Sequence, residues 1–259
     1  MKINKVIEYL NSLAATPVKP DTCDRIIVGN GENEITGIGV SMFATPNVIR
    51  QAIAAGINFL IVHEPVFYDN MDKSMPYAIG LEKKKLIEDA GITIYRYHDH
   101  AHNSDPDLIF EGQTEYMGLD GRREKGKYWA VNRFVLDNEM TALELADALE
   151  KNYGIKHIRI IGSIDKKGRN ISCCFGTPGH VIDELSETDF VLTGEVCEWR
   201  EGEAARDMAE MGYYKAVLVM GHIGSEREGM KLLAEKLCEK FADFETTYIE
   251  CGEVYSYTK

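Results

Sequence analysis

Five of the seven histidines, His63, His98, His100, His102 and His222, stand where an apolar run gives way to polar sequence. Imidazole and carboxylate together form the donor set of zinc, manganese, iron, cobalt or nickel, whereas calcium and magnesium prefer oxygen alone. In His63-Glu64-Pro65, neighbouring strand side chains face opposite ways and Pro65 keeps Glu64 extended. Where a strand leaves its sheet, such a pair can instead reach two metals, as a dinuclear site requires. Taken alone, a solvated strand-end pair is the simpler account. His98, His100 and His102 follow at i, i+2 and i+4, on one face if the strand continues, with Asp99 opposite. The alternative is a polar loop. His222 precedes Ser225-Glu226-Arg227-Glu228, where Ser225 and Glu228 have capping-box spacing. Glu226 then either complements a helix N-terminus or joins His222 as a ligand. His157 and His180 lack such company and are read as structural.

These residues need a frame, and the apolar periodicity supplies one. A helix over 3–13 ends before Pro17 and Pro20. Runs 25–28 and 35–42, joined by the turn chemistry of 29–33, predict a hairpin. Gly29 to Glu34 lacks the third glycine of a dinucleotide-binding fingerprint. Helix, glycine and strand then follow twice, over 48–62 and 77–97, and Asp105-Pro106 opens a helix reaching 117. In the second half, strands are predicted at 128–136, 157–161, 171–175, 190–192, 216–220 and 244–249. Helices open at Thr141, with Glu144 at capping-box spacing, and cover 181–185, 198–211 and 226–240. Residues 176–179 form a turn between strand and helix.

Alternation of this kind implies an α/β fold with partly parallel sheets flanked by helices. Segments 56–64 and 188–195 are similar, each an apolar strand closed by glutamate, and the strand after each ends in histidine. Two similar α/β lobes are therefore expected, 1–125 and 126–259, free to interleave, with polar groups at strand C-terminal ends facing ligands into a common cleft.

Composition narrows the function. Forty-two acidic against twenty-nine basic residues leave a net charge of −13, which disfavours nucleic acid and anionic membranes as partners. The apolar runs 59–62 and 216–220 are far short of the roughly 20 residues that cross a bilayer. The first residues carry no secretory pattern, so a cytoplasmic location with reduced cysteines is expected. The six cysteines include no CxxC pair and read as buried or incidental thiols.

Three segments carry a resemblance. FLIVHEPVF (59–67), IYRYHDHAH (94–102) and GHIGSEREG (221–229) resemble, in that order, the strand ending HHP, the strand ending HTNLD and the GHxxSE helix start of the Nif-three-like dinuclear-metal-centre proteins. Leu192-Thr193-Gly194-Glu195 resembles that family's TGE or TGD strand end, and the likeness covers nearly the whole chain. Glu64 replaces the second histidine of HHP and His102 replaces the aspartate of HTNLD, an exchange that leaves the summed donor set unchanged in kind and charge.

The resemblance implies two α/β lobes, a pair of divalent metal ions in the cleft between them and a homohexameric ring. The matched metal ligands are His63, Glu64, His102, His222 and Glu226, with His98 at the family's other histidine position and His100 without counterpart. Family members are described as cyclohydrolase-like, as metal-dependent hydrolases, or as metal chaperones and interaction partners. For this chain the expectation is a metal-dependent hydrolase of a phosphorylated or nucleotide-like small molecule, with Glu195 or Asp99 orienting water or taking a proton. A non-catalytic metal-delivery ring or interaction scaffold is the alternative.

Overall fold

The computed structural model describes residues 1–72, 77–177 and 179–258, an α/β chain that divides into two compact units. Pro178, in the turn expected at 176–179, lies outside the described residues. The first unit comprises Met1–Leu108 and Met230–Lys259, and the second comprises Ile109–Gly229.

The first unit contains α1 (Ile3–Ser12), β1 (Arg25–Val28), β2 (Ile38–Ser41), α2 (Pro46–Ala54), β3 (Phe59–Val62), α3 (Ala78–Asp89), β4 (Thr93–Arg96) and the single turn α4 (Asp99–His102). β3 is apolar at every position because both its faces are covered, and all four of its side chains are buried. Leu60, Val62 and Ile94 pack with Val48, Ile49 and Ile87, which joins the sheet to the apolar faces of α2 and α3.

The predicted hairpin between β1 and β2 does not form. β1 runs antiparallel to β4, while β2 runs parallel to β3. The turn after β1 is held instead by the start of the chain, where the Ile3 and Asn4 N–H groups donate to the carbonyls of Asn33 and Gly31. The boundary between lobes also differs from the expected one near 125. β11 (Thr246–Tyr248) pairs parallel with β2, which returns the last thirty residues to the first unit and gives the sheet order β1-β4-β3-β2-β11.

α5 (Leu108–Tyr116) leads into the second unit. There follow β5 (Gly121–Lys125), β6 (Asn132–Thr141), α6 (Ala142–Tyr153), β7 (Arg159–Gly162), β8 (Lys167–Cys174), α7 (Val181–Glu187), β9 (Phe190–Thr193), a π-helical turn (Glu198–Gly202), α8 (Glu203–Glu210), β10 (Ala216–Val219) and α9 (His222–Lys240). α9 starts in the second unit, and its residues from Met230 belong to the first. The sheet order is β5-β6-β8-β9-β10-β7, with β8, β9 and β10 mutually parallel. Thr141 and Glu144 form the expected reciprocal capping box at the start of α6.

The two similar sequence segments become equivalent pieces of architecture. β3 and β4 are parallel neighbours in the first unit, as β9 and β10 are in the second. Each pair therefore delivers the residues that follow it to one edge of its own sheet. No helix of the described residues is long and apolar enough to cross a membrane. The cysteines carry free thiols, with Cys23, Cys173 and Cys174 buried.

Candidate metal centre

In the first unit the site grows from the ends of β3 and β4. The backbone continues past β3 along β2, with the His63 and Glu64 N–H groups both donating to the Met42 carbonyl. The Tyr97 N–H donates to the Val62 carbonyl, so β4 ends level with β3. The chain then coils rather than extending. His98 becomes the residue before the single turn α4, and the His102 N–H donates to the His98 carbonyl at 3.1 Å. The strand spacing expected for His98, His100 and His102 is therefore replaced by helical spacing. His98 and His102 share a side one turn apart, and His100 points elsewhere.

The three remaining rings converge. Ring centroids lie 4.5 Å apart for His63 and His98, 5.0 Å for His98 and His102, and 5.3 Å for His63 and His102. Each offers a ring nitrogen within 4.8 Å of the others, a group that could hold a metal ion. Cys23, His98 and Asp99 form a second group of the same kind in this unit.

The tautomers follow from the hydrogen bonds. His63 Nδ1 lies 3.0 Å from the Tyr97 carbonyl oxygen, His98 Nδ1 lies 3.0 Å from Asp99 Oδ1, and His102 Nδ1 lies 3.0 Å from Asp107 Oδ2. A carbonyl or carboxylate oxygen can only accept, so these contacts assign the ring proton to Nδ1 and the lone pair to Nε2. Carboxylate or carbonyl partners on the far nitrogen are how metal-binding histidines are oriented. His63 is fully buried, and burial, reinforced by the neighbouring His98, holds its ring well below the usual histidine range and therefore neutral.

Glu64 is nearly buried and offers a carboxylate oxygen within 4.8 Å of a His63 ring nitrogen. Its charge is balanced by buried Arg96, whose Nη2 is 3.9 Å from Glu64 Oε2 and whose Nε donates to the His63 carbonyl. Arg96 also donates to the Asn70 carbonyl. The guanidinium thus fixes both charge and backbone at the end of β3.

In the second unit β9 and β10 play the same part. The Gly194 and Glu195 N–H groups donate to the Gly176 carbonyl, and α9 opens at His222 rather than at the expected Glu226. Ser225 accordingly sits within the first turn. Its hydroxyl donates to the His222 carbonyl and accepts from the Gly176 N–H, so the predicted cap with Glu228 is absent. Glu228 pairs with Arg227 instead. His222 Nδ1 is 2.7 Å from Glu195 Oε1, and His222 Nε2 is 3.2 Å from Glu226 Oε2 across one turn of helix. Glu226 is buried while the Glu195 side chain is half exposed.

Two glycines make this corner. Gly176 has φ +61°, and a Cβ there would lie 2.7 Å from Glu226 Oε1. A Cβ on Gly194 would lie 2.7 Å from the Gly176 carbonyl oxygen and from Ser225 Oγ, and 2.9 Å from His222 Cα. Gly194→Ala must therefore shift the backbone that carries His222. The expected cost is about 1–3 kcal/mol of stability, together with weakened metal uptake. Thermal unfolding and elemental analysis check this, and wild-type values in both would contradict it.

Of the sequence-predicted residues, His63, Glu64, His98 and His102 come together in the first unit, and His222, Glu226 and Glu195 in the second. Asp99 Oδ1 faces His98 and Cys23, and its Oδ2 accepts from the Thr22 hydroxyl at 2.7 Å. The His98 hydrogen bond above all holds its carboxyl well below the usual range. His180 stacks on Tyr128, as a structural residue would. The sequence reading missed Asp24 and Asp107, of which Asp107, five residues beyond His102, carried a local signal; it gave Ser225 a different partner and Gly176 only a place in a turn.

The donors fit a metal. Imidazole nitrogens with assigned lone pairs, beside buried carboxylates, suit the divalent transition ions. A family model described as Duf34/NIF3 (NGG1p interacting factor 3) matches residues 1–253. Among curated relatives, a Clostridium acetobutylicum protein named GTP cyclohydrolase 1 type 2 homolog is 25% identical over 248 residues, covering 92% of this chain and 90% of that one. A protein of the same name from Pyrococcus horikoshii is 23% identical, covering 96% and 98%. Among solved structures, the ybgI protein, described as of unknown function, superposes with a TM-score of 0.79 at 23% identity, covering 98% of this chain and all of that one. A Bacillus cereus protein related to NIF3 gives 0.76 at 14% identity, covering 100% and 99%.

Proposed function

The chain belongs to the Duf34/NIF3 family, and from that premise we propose that it binds two divalent transition-metal ions and hydrolyses a phosphorylated or nucleotide-like small molecule. The donors in this reading are His63, Glu64, His98 and His102 of the first unit and His222 and Glu226 of the second. One observation carries it. The three first-unit imidazoles each present Nδ1 to a fixed oxygen acceptor, and His222 Nδ1 does the same toward Glu195. Rings oriented in this way at four separate positions are arranged for ligation rather than for solvation.

A bound pair of such ions supplies activated water near neutral pH and stabilises developing negative charge. The chain's own residues prepare for this. Arg96 sets its guanidinium 3.9 Å from the buried Glu64 carboxylate. Glu195, half exposed at the end of β9, both orients His222 and stands where a proton acceptor can meet solvent. The relatives named GTP cyclohydrolase 1 type 2 homolog support a nucleotide-like substrate, and the charge of −13 argues against a long nucleic acid. A homohexameric ring belongs to the same reading, on the sequence resemblance.

A second reading, metal storage or delivery without turnover, is favoured by Asp99, whose oxygens are already engaged by His98 and Thr22. The deciding experiment loads the protein with zinc, manganese, iron, cobalt or nickel. It then compares wild type, His63→Ala and His222→Ala on phosphoesters and nucleotides. The hydrolase reading expects turnover in wild type and loss in both variants. Activity surviving both would belong to a contaminant, and stoichiometric metal with no turnover would establish the second reading.

A further inference from the structure

The single turn that carries His98 and His102 cannot stand by itself. A helix of one turn fixes several residues for very few hydrogen bonds, and the residue at its start, His98, makes no side-chain cap. The cap comes from a distant part of the first unit. β1 lies antiparallel to β4 with Arg25 opposite Arg96, so the residue before β1 lies beside the residues that follow β4. That residue is Asp24, whose side chain is fully buried.

Its carboxylate collects the whole start of the turn. Oδ1 accepts from the His98 N–H at 2.7 Å and the Asp99 N–H at 2.9 Å. Oδ2 accepts from the His100 N–H at 2.8 Å and faces His100 Nδ1 at 2.7 Å. The Asp24 N–H in turn donates to the Thr22 hydroxyl oxygen, and that hydroxyl donates to Asp99 Oδ2. Three consecutive backbone N–H groups on one carboxylate force the chain to coil at His98. The ring contact draws His100 away to the opposite side, and Thr22 sets the carboxylate that orients the His98 ring.

Resting on the metal reading above, we propose that Asp24 is a positioning residue of the metal centre. It bonds to the backbone that presents His98 and His102, and it imposes the helical spacing that brings both imidazoles to one side. An extended continuation of β4 would instead send His98, His100 and His102 along a strand face at twice the strand repeat, with His98 and His102 too far apart to share an ion.

The test uses the full chain loaded with Co2+, whose visible spectrum reports coordination geometry, and a competing chromophoric chelator to measure affinity. Asp24→Asn and Asp24→Ala are expected to weaken Co2+ binding about 10–100-fold, the usual effect of losing an outer-shell partner, and to alter the spectrum. Thr141→Ala, which removes the cap of α6, controls for a purely structural loss and is expected to lower thermal stability with affinity and spectrum unchanged. Asp24→Glu keeps the buried charge, sparing the fold, while displacing the carboxylate by one methylene, and is expected to lose affinity to a smaller extent. Wild-type affinity and spectrum in any folded Asp24 variant would overturn the proposal. A wild-type chain that takes up no Co2+ would overturn the metal reading and this proposal together.

Discussion

Replacing His98 and His102 together by alanine is expected to abolish metal binding by the first unit's donors, with affinity falling by more than the roughly 100-fold that loss of an outer-shell partner can cost. Both rings are held by carboxylates, Asp99 and Asp107, at 3.0 Å, so each is prepared to donate through Nε2. Removing the pair leaves His63 and Glu64 as a two-donor remnant. Elemental analysis after reconstitution with zinc or cobalt measures the result, and far-ultraviolet circular dichroism verifies the fold. Metal content equal to wild type in the folded double variant would show that these rings are not ligands.

The second large effect concerns the exchange of Glu64 and His102 against the family pattern. On composition alone, Glu64→His with His102→Asp should restore a family-like site. The structure modifies that expectation because the neighbours have adapted. Glu64 is matched by buried Arg96, and His102 by nearly buried Asp107. Glu64→His leaves the guanidinium facing a neutral ring, and His102→Asp sets two carboxylates side by side. Each single change is expected to weaken metal binding about 10–100-fold. The double change should recover part of the loss, and Asp107→Asn added to it should recover more. A double variant that equals the plain sum of its singles in free energy would show that the exchange is accidental.

Much of the frame was legible because strands such as Phe59 to Val62 are apolar throughout and helices such as α6 announce their caps. Long-range partners were not. Turn chemistry at 29–33 is a local signal, yet β1 finds β4, some 65 residues further on, because the turn is anchored by Ile3 and Asn4. β5 was missed because all five of its residues are exposed, so its sequence, Gly-Arg-Arg-Glu-Lys, has no apolar face to read. The site shows the same division. Histidines and carboxylates at strand ends were visible, but whether 98–102 extends or coils depends on Asp24, whose partners are 74 to 76 positions away. Ser225 looked like a cap by spacing, and the competing partner that claims its hydroxyl, Gly176, is 49 positions distant.

The return of the last thirty residues to the first unit has a consequence for how the chain is made. β2 acquires its outer neighbour β11 only when Thr246 to Tyr248 have been synthesised, roughly 200 residues after Ser41, or on the order of 10–40 s of translation. All of Ile109 to Gly229 emerges within that interval. The unit that stands second in the sequence is thus the first whose residues are complete, while the first waits with an unpaired parallel edge. An open edge of this kind is a template for pairing with other chains. It is the growing polypeptide, more than the finished one, that needs shielding by chaperones, and slow codons upstream of β11 would lengthen the exposure.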